Sequence, residues 1–187
     1  MEELEQREDV IALALHVDYW DYIGWKDEFA DPAHTRRQKG YAHEGGRKMI
    51  YTPQMIVNGQ EDVVGARSME LADLIARHRQ APAKASLRAV RTGERLMIEA
   101  QSLEDWALPV DVQLVRYIPH HNTHITRGEN AGKSVDYVNI VTDMQVIGRW
   151  DARAPLALDI KITGDLPAVV MIQRPGPGQM IAATKVE

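Results

Sequence analysis

Cysteine is absent from all 187 residues. That absence excludes a disulfide scaffold, a zinc–thiolate site and any reaction that needs a protein thiolate, disulfide exchange included. It does not identify a compartment, because exported and cytosolic proteins can both lack thiols. No apolar run approaches the roughly 20 residues of a membrane-spanning helix, so no membrane partner is expected. An excess of positive charge is also missing. The chain carries 22 basic and 27 acidic residues, a formal charge of -5, and so has no global field to draw a phosphate backbone; nucleic acid is excluded as an expected partner. The start, Met1-Glu2-Glu3-Leu4-Glu5-Gln6-Arg7, is acidic and polar and lacks the basic start and apolar centre of an export signal. There is no serine-nucleophile elbow, paired-carboxylate site or dinucleotide fingerprint. From these absences the expectation is no catalytic residue, no cofactor and no metal.

What is present belongs to a globular protein, with 44% hydrophobic and 26% charged residues. The length suits one large domain or two small ones. A change of hydrophobic period supports two, 1–82 and 83–187, divided near Pro82. Before it, Glu2 to Arg7 read as the last turns of a helix without a cap, and Val10-Ile11-Ala12-Leu13-Ala14-Leu15 as a strand buried on both faces. Asp31 and Pro32 suit a helix start, and Gly45-Gly46 its end. Asn58-Gly59 joins two short apolar runs as a hairpin turn, and Ser68 suits the cap of a helix carrying Leu71, Leu74, Ile75 and His78 on one face. Beyond Pro82 the period is two. Leu96, Ile98 and Ala100, then Val110, Val112 and Leu114, then Leu156, Leu158, Ile160 and Ile162 alternate with polar neighbours, the pattern of an antiparallel β-sandwich.

Four segments carry chemically suggestive residues. His16, Asp18 and Asp21 suggest a metal cluster or a carboxylate-oriented imidazole, while Trp20 and Trp25 bracket Gly24 and suit an anchored loop or a groove wall. Gly128 to Ser134 resembles a phosphate-binding loop but has three residues between its glycines where four are needed, and it sits among β-patterned segments, so no nucleotide is expected there. His120, His121 and His124 cluster without an acidic or thiol ligand and read as a solvated hairpin tip. Thr52-Pro53, ahead of the apolar Met55-Ile56-Val57, suits a cis peptide whose backbone is turned outward to an extended ligand.

The run His16-Val17-Asp18-Tyr19-Trp20-Asp21-Tyr22-Ile23-Gly24-Trp25-Lys26-Asp27, with Tyr51-Thr52-Pro53-Gln54, Arg127-Gly128-Glu129-Asn130-Ala131-Gly132 and Trp150-Asp151, resembles a bacterial family, the domain of unknown function numbered 1223. The element order is similar to a thioredoxin-like domain. The resemblance implies a mixed fold: an α/β thioredoxin-like domain, N-terminally truncated, followed by an all-β sandwich-like domain. It also implies an exported, thiol-redox-like ancestry, with an upstream strand and Cys-x-x-Cys segment that this chain does not contain. What carries over is the cis-proline step at Thr52-Pro53 and the 16–27 run. On this reading the binding candidates are Asp18, Tyr19, Trp20, Trp25, Thr52 and Pro53. The partner is an extended peptide or a protein, or a second subunit that completes the sheet, and at least one tryptophan is expected in the interface between the domains.

Overall fold

A computed structural model describes residues 2–24, 26–65, 67–105, 109–127 and 131–187. Trp25, Trp106 and the Gly128 to Asn130 part of the phosphate-loop lookalike lie outside the described residues. The fold is mixed α/β, with few helices and mostly antiparallel sheets.

Local chemistry sets the first elements. A short helix α1 (Glu2–Glu5) precedes an extended segment. Helix α2 (Pro32–Glu44) begins where Asp31 accepts a hydrogen bond from the Ala33 N–H at 2.7 Å, with proline in the first turn where no N–H is needed. Strands β1 (Gln54–Val57) and β2 (Glu61–Val64) pair as a hairpin whose turn uses positive φ at Asn58 (49°) and Gly59 (68°). A side chain at Gly59 would also strike the Gly178 carbonyl. Helix α3 (Ser68–Arg79) buries Leu71, Leu74 and Ile75, as its spacing requires. Ser68 is its first helical residue, not its cap: the cap position falls on Arg67, and no side chain bonds there.

Seven strands follow: β3 (Ala85–Thr92), β4 (Arg95–Ser102), β5 (Val110–His124), β6 (Ser134–Trp150), β7 (Leu156–Lys161), β8 (Ala168–Gln173) and β9 (Met180–Lys185). They form a three-stranded sheet in the order β3-β4-β7 and a four-stranded sheet in the order β6-β5-β8-β9. Residues 110–115 of β5 and all of β8 are buried, because that sheet is covered on both sides. The even-numbered side chains Val110, Val112, Leu114, Ala168, Val170 and Ile172 share a core with Leu96 and Ile98 of the facing sheet. The odd-numbered Val115, Val169 and Met171 point the other way, onto Ile11, Leu13 and Leu15. Pro119 interrupts no β5–β8 pairing, which runs from Asp111 to Arg116.

One expectation needs correction. Residues 10–15 do not form a strand buried on both faces: they are extended and half-buried, and only Ala14 is bridged, in parallel, to Ile140 of β6. The reason is a missing neighbour, since β1 does not pair with this segment. Of the described tryptophans, one is buried and one is exposed. Trp150 is buried within the core shared by the two larger sheets, its indole N–H on the Ala154 carbonyl at 2.7 Å, and Trp20 is exposed.

Because Ile172 is fully buried between two covered faces, Ile172→Ala should lower the stability to urea by about 2–5 kcal/mol. Val146→Ala, at an exposed position, should change it by no more than about 0.5 kcal/mol.

Candidate functional site

A cleft of about 1240 Å³ lies between the 10–15 segment, β1, α3 and the odd face of the four-stranded sheet. Its walls carry opposed backbone that is unpaired among the described residues. Ala14 donates to the Asn139 carbonyl (2.8 Å) and accepts from the Val141 N–H (2.9 Å), so both of its polar groups point at β6. In extended chain the direction alternates, which turns those of Leu13 and Leu15 toward the cleft. On the other side, the carbonyls of Pro53 and Val57 accept from Gly65 (2.9 Å) and Gln60 (3.1 Å), on the β2 side of the hairpin. The same alternation turns the polar groups of Gln54 and Ile56 into the cleft. The apolar lining comes from both faces, with Leu71 and Ile75 from α3 and Met144, Met171 and Met180 from the sheet, while charged side chains such as Asp9, Arg37 and Arg79 line it too. Methionine fills such a surface well because its unbranched, polarizable chain adapts to irregular partners.

One end of the cleft is polar and tightly built. The Thr52–Pro53 peptide is cis, both residues are exposed, and the Trp20 indole N–H donates to the Thr52 hydroxyl at 2.8 Å. Trp20, Thr52 and Pro53 line the cleft. Asp18 and Tyr19 instead tie the loop to α2: the Thr35 hydroxyl donates to Asp18 (2.5 Å), and the Tyr19 hydroxyl donates to Gln38 (3.1 Å). Gln38 in turn donates to the Tyr51 carbonyl at 2.7 Å and the Gln54 side chain at 2.9 Å, holding the cis peptide's flanks from below.

His16 pairs with neither Asp18 nor Asp21. Its Nδ1 lies 2.5 Å from Asp27 Oδ2, and its ring is packed edge-on against Tyr137 (4.7 Å) and Phe29 (5.7 Å). The Asp27 carboxylate also accepts the Phe29 N–H at 3.0 Å, and its own N–H donates to Asp21 at 3.4 Å. Burial pushes the Asp27 carboxyl up, but the hydrogen bonds from His16 and Phe29 together outweigh it and hold the group below its usual range. Asp27 is therefore ionised near neutral pH, and Nδ1 of His16 carries the shared proton. The Tyr137 phenol is held above its usual range, by burial and by the Asp27 charge. His34 supports the arrangement by donating from Nδ1 to the His16 carbonyl at 2.9 Å, since a carbonyl can only accept.

The remaining motifs do not converge on this site as ligands. His120, His121 and His124 lie within β5 rather than at a hairpin tip, and alternation sends His121 to the opposite face from the other two. His121 reaches back to Phe29, with ring centroids 4.9 Å apart, and to Glu28 at 3.6 Å. No group of three or more potential metal ligands forms among the described residues. Ser134 opens a strand, where a phosphate loop would open a helix.

The model of a family described as "Protein of unknown function (DUF1223)" matches residues 1–173. The chain belongs to the DUF1223 family. A crystal structure of protein AGR_C_4864 from Agrobacterium tumefaciens is similar to this DUF1223 chain, with a TM-score of 0.83, 26% identity, 98% of this chain and 83% of that chain covered. No curated protein matches. The similarity spans the helical and the β-rich parts together, so the arrangement that forms the cleft walls belongs to a shared fold.

Sequence reading missed Asp27 as the partner of His16, and Gln38 as the link between α2 and the cis peptide. Asp27 closed the run that carried the family resemblance. Gln38 carried no signal beyond helical spacing from Asp31.

The depressed Asp27 carboxyl makes stability depend on acid. Its contribution is complete above the ordinary carboxylate value of about 3.9 and is lost as pH falls through the lower, folded-state value. The difference in urea midpoint between wild type and Asp27→Asn should therefore be largest above about pH 4 and shrink as acid is added. A constant difference from pH 2 to 6 would remove the linkage.

Proposed function

We propose that this DUF1223 chain is a binding module that takes up an extended peptide segment by strand addition. On this reading residues 1–82 form a thioredoxin-like unit and residues 83–187 a β-sandwich-like unit. The cleft occupies the place of a central strand in the first unit, and the Thr52–Pro53 loop and Trp20 form its entrance. The observation that carries the reading is the pair of backbone edges facing one another across an apolar cleft. A compact apolar ligand would desolvate those edges without pairing them, at about 1–3 kcal/mol for each buried group. An extended backbone pairs both.

Because both faces of the cleft present apolar clusters, the preferred segment has consecutive apolar side chains, not alternating ones. β1 is 4 residues long, so roughly four to six residues fill the cleft. A labelled Val/Ile/Leu hexapeptide with terminal lysines should bind in a fluorescence-anisotropy titration. A central proline in the peptide, or Met180→Glu in the protein, should weaken binding at least tenfold. Equal binding of the proline peptide would reject strand addition. A concentration-dependent rise in mass without peptide would assign the cleft to a second copy of the chain.

The same unit without cysteine cannot carry out thiol exchange. Turnover of an insulin-type disulfide substrate should equal that of a heat-inactivated control, and turnover above it would require a redox group other than cysteine.

A further inference from the structure

We propose that His16 and Asp27 form a general-base pair through which the cleft hydrolyses carboxylic esters bearing an apolar acyl chain. The proposal goes beyond peptide binding and rests on separate observations. Asp27 fixes the Nδ1–H tautomer, which leaves Nε2 as the basic nitrogen. Among the described residues Nε2 has no protein partner, and it is not among the buried side-chain atoms that lack one; His16 lines the cleft. The ring cannot swing freely, because Tyr137 and Phe29 flank it and its carbonyl is tied by the Asp31 N–H (3.2 Å) and His34. A carboxylate-held, immobilised imidazole with a free nitrogen beside an apolar cleft is equipped to accept a proton during acyl transfer.

No serine or threonine hydroxyl of the described residues is bonded to His16, so the nucleophile is water. Nε2 removes a proton as the water oxygen forms a bond to the ester carbonyl carbon. The ester C–O bond then breaks, and the alkoxide or phenolate leaves with the proton returned from Nε2. Asp27 stabilises the imidazolium between the two transfers, and the products are one carboxylic acid and one alcohol. The Leu15 N–H, adjacent in sequence to the base and turned toward the cleft, is a backbone donor of the kind that stabilises a developing oxyanion. The apolar walls supply the preference for the acyl chain, since each methylene buried from water strengthens binding about fourfold.

The test uses the full chain and p-nitrophenyl octanoate, with p-nitrophenyl acetate as the short-chain comparison. Release of p-nitrophenolate at pH 7.5 should exceed that of buffer, with kcat/KM at least tenfold higher for octanoate than for acetate. His16→Gln should abolish the excess. Asp27→Asn should lower kcat tenfold or more while leaving KM within a factor of two, and should erase the Nδ1–H signature of His16 in nitrogen-15 NMR spectra. His124→Gln, at an exposed site, should be indistinguishable from wild type. Should His16→Gln not fold, diethylpyrocarbonate inactivation mapped by mass spectrometry replaces it: loss of activity tracking His16 modification supports the pair, and loss tracking another histidine overturns it. Turnover no faster than buffer, turnover retained in a folded His16→Gln, or equal rates with both esters overturns the proposal. Hydrolysis without peptide binding leaves this pair standing and removes the binding reading; the reverse result does the opposite.

Discussion

Everything else in the molecule depends on the four-stranded sheet being buried on both faces. Strands β5 and β8 give their even-numbered residues to one core and their odd-numbered residues to another, so the alternation of a single pair of strands glues the β-rich part together and holds the N-terminal segments on it. A one-residue slip between β5 and β8 would exchange the two faces of one strand and spoil both cores at once. The observed register, with Val112 opposite Ile172 and Val115 opposite Val169, keeps like faces together.

The odd face is not purely apolar. Gln113 and Gln173 are buried there and bonded to one another at 3.1 Å, and the Arg37 guanidinium donates to Gln173 at 2.5 Å and to the Tyr41 hydroxyl at 2.9 Å. Gln173 also donates to Tyr41 (2.9 Å) and to the Gly178 carbonyl (2.7 Å). Buried amides without partners would be costly, so this network has few acceptable arrangements. It fixes where α2 sits along the sheet. Gly40 of α2 lets Pro177 approach to within 2.8 Å of where a Cβ would stand, so the β8–β9 turn closes over the helix at the same place. The cleft walls are thereby positioned by a polar network, two of whose members, Arg37 and Tyr41, line the cleft themselves.

Sequence reading reached the features whose cause is local. Asp31 with Pro32, the Asn58-Gly59 turn and the alternation in β4 and β7 all act within a few residues, and each appears where the pattern put it. The 10–15 run misled because a continuous apolar stretch reports burial on two sides without naming what lies beside it. Its one bridged partner, Ile140, is far away in sequence. Asp27 was hidden for another reason: the chain between it and His16 loops back through a 3₁₀ turn (Asp21–Ile23), so no regular spacing links imidazole to carboxylate. Gln173 ends an otherwise apolar strand, where composition gives no warning that it is buried.

The bridge between Ala14 and Ile140 also sets a timetable. A ribosome adds about 5–20 residues per second, so the apolar 10–15 segment leaves the exit tunnel roughly ten seconds before the β6 backbone that receives it. Closing so long a loop adds little to its entropic cost compared with a moderate one, since that cost grows only logarithmically. The burden is kinetic. During synthesis the apolar 10–15 segment therefore waits, without its β6 partner, while the chain between them is made.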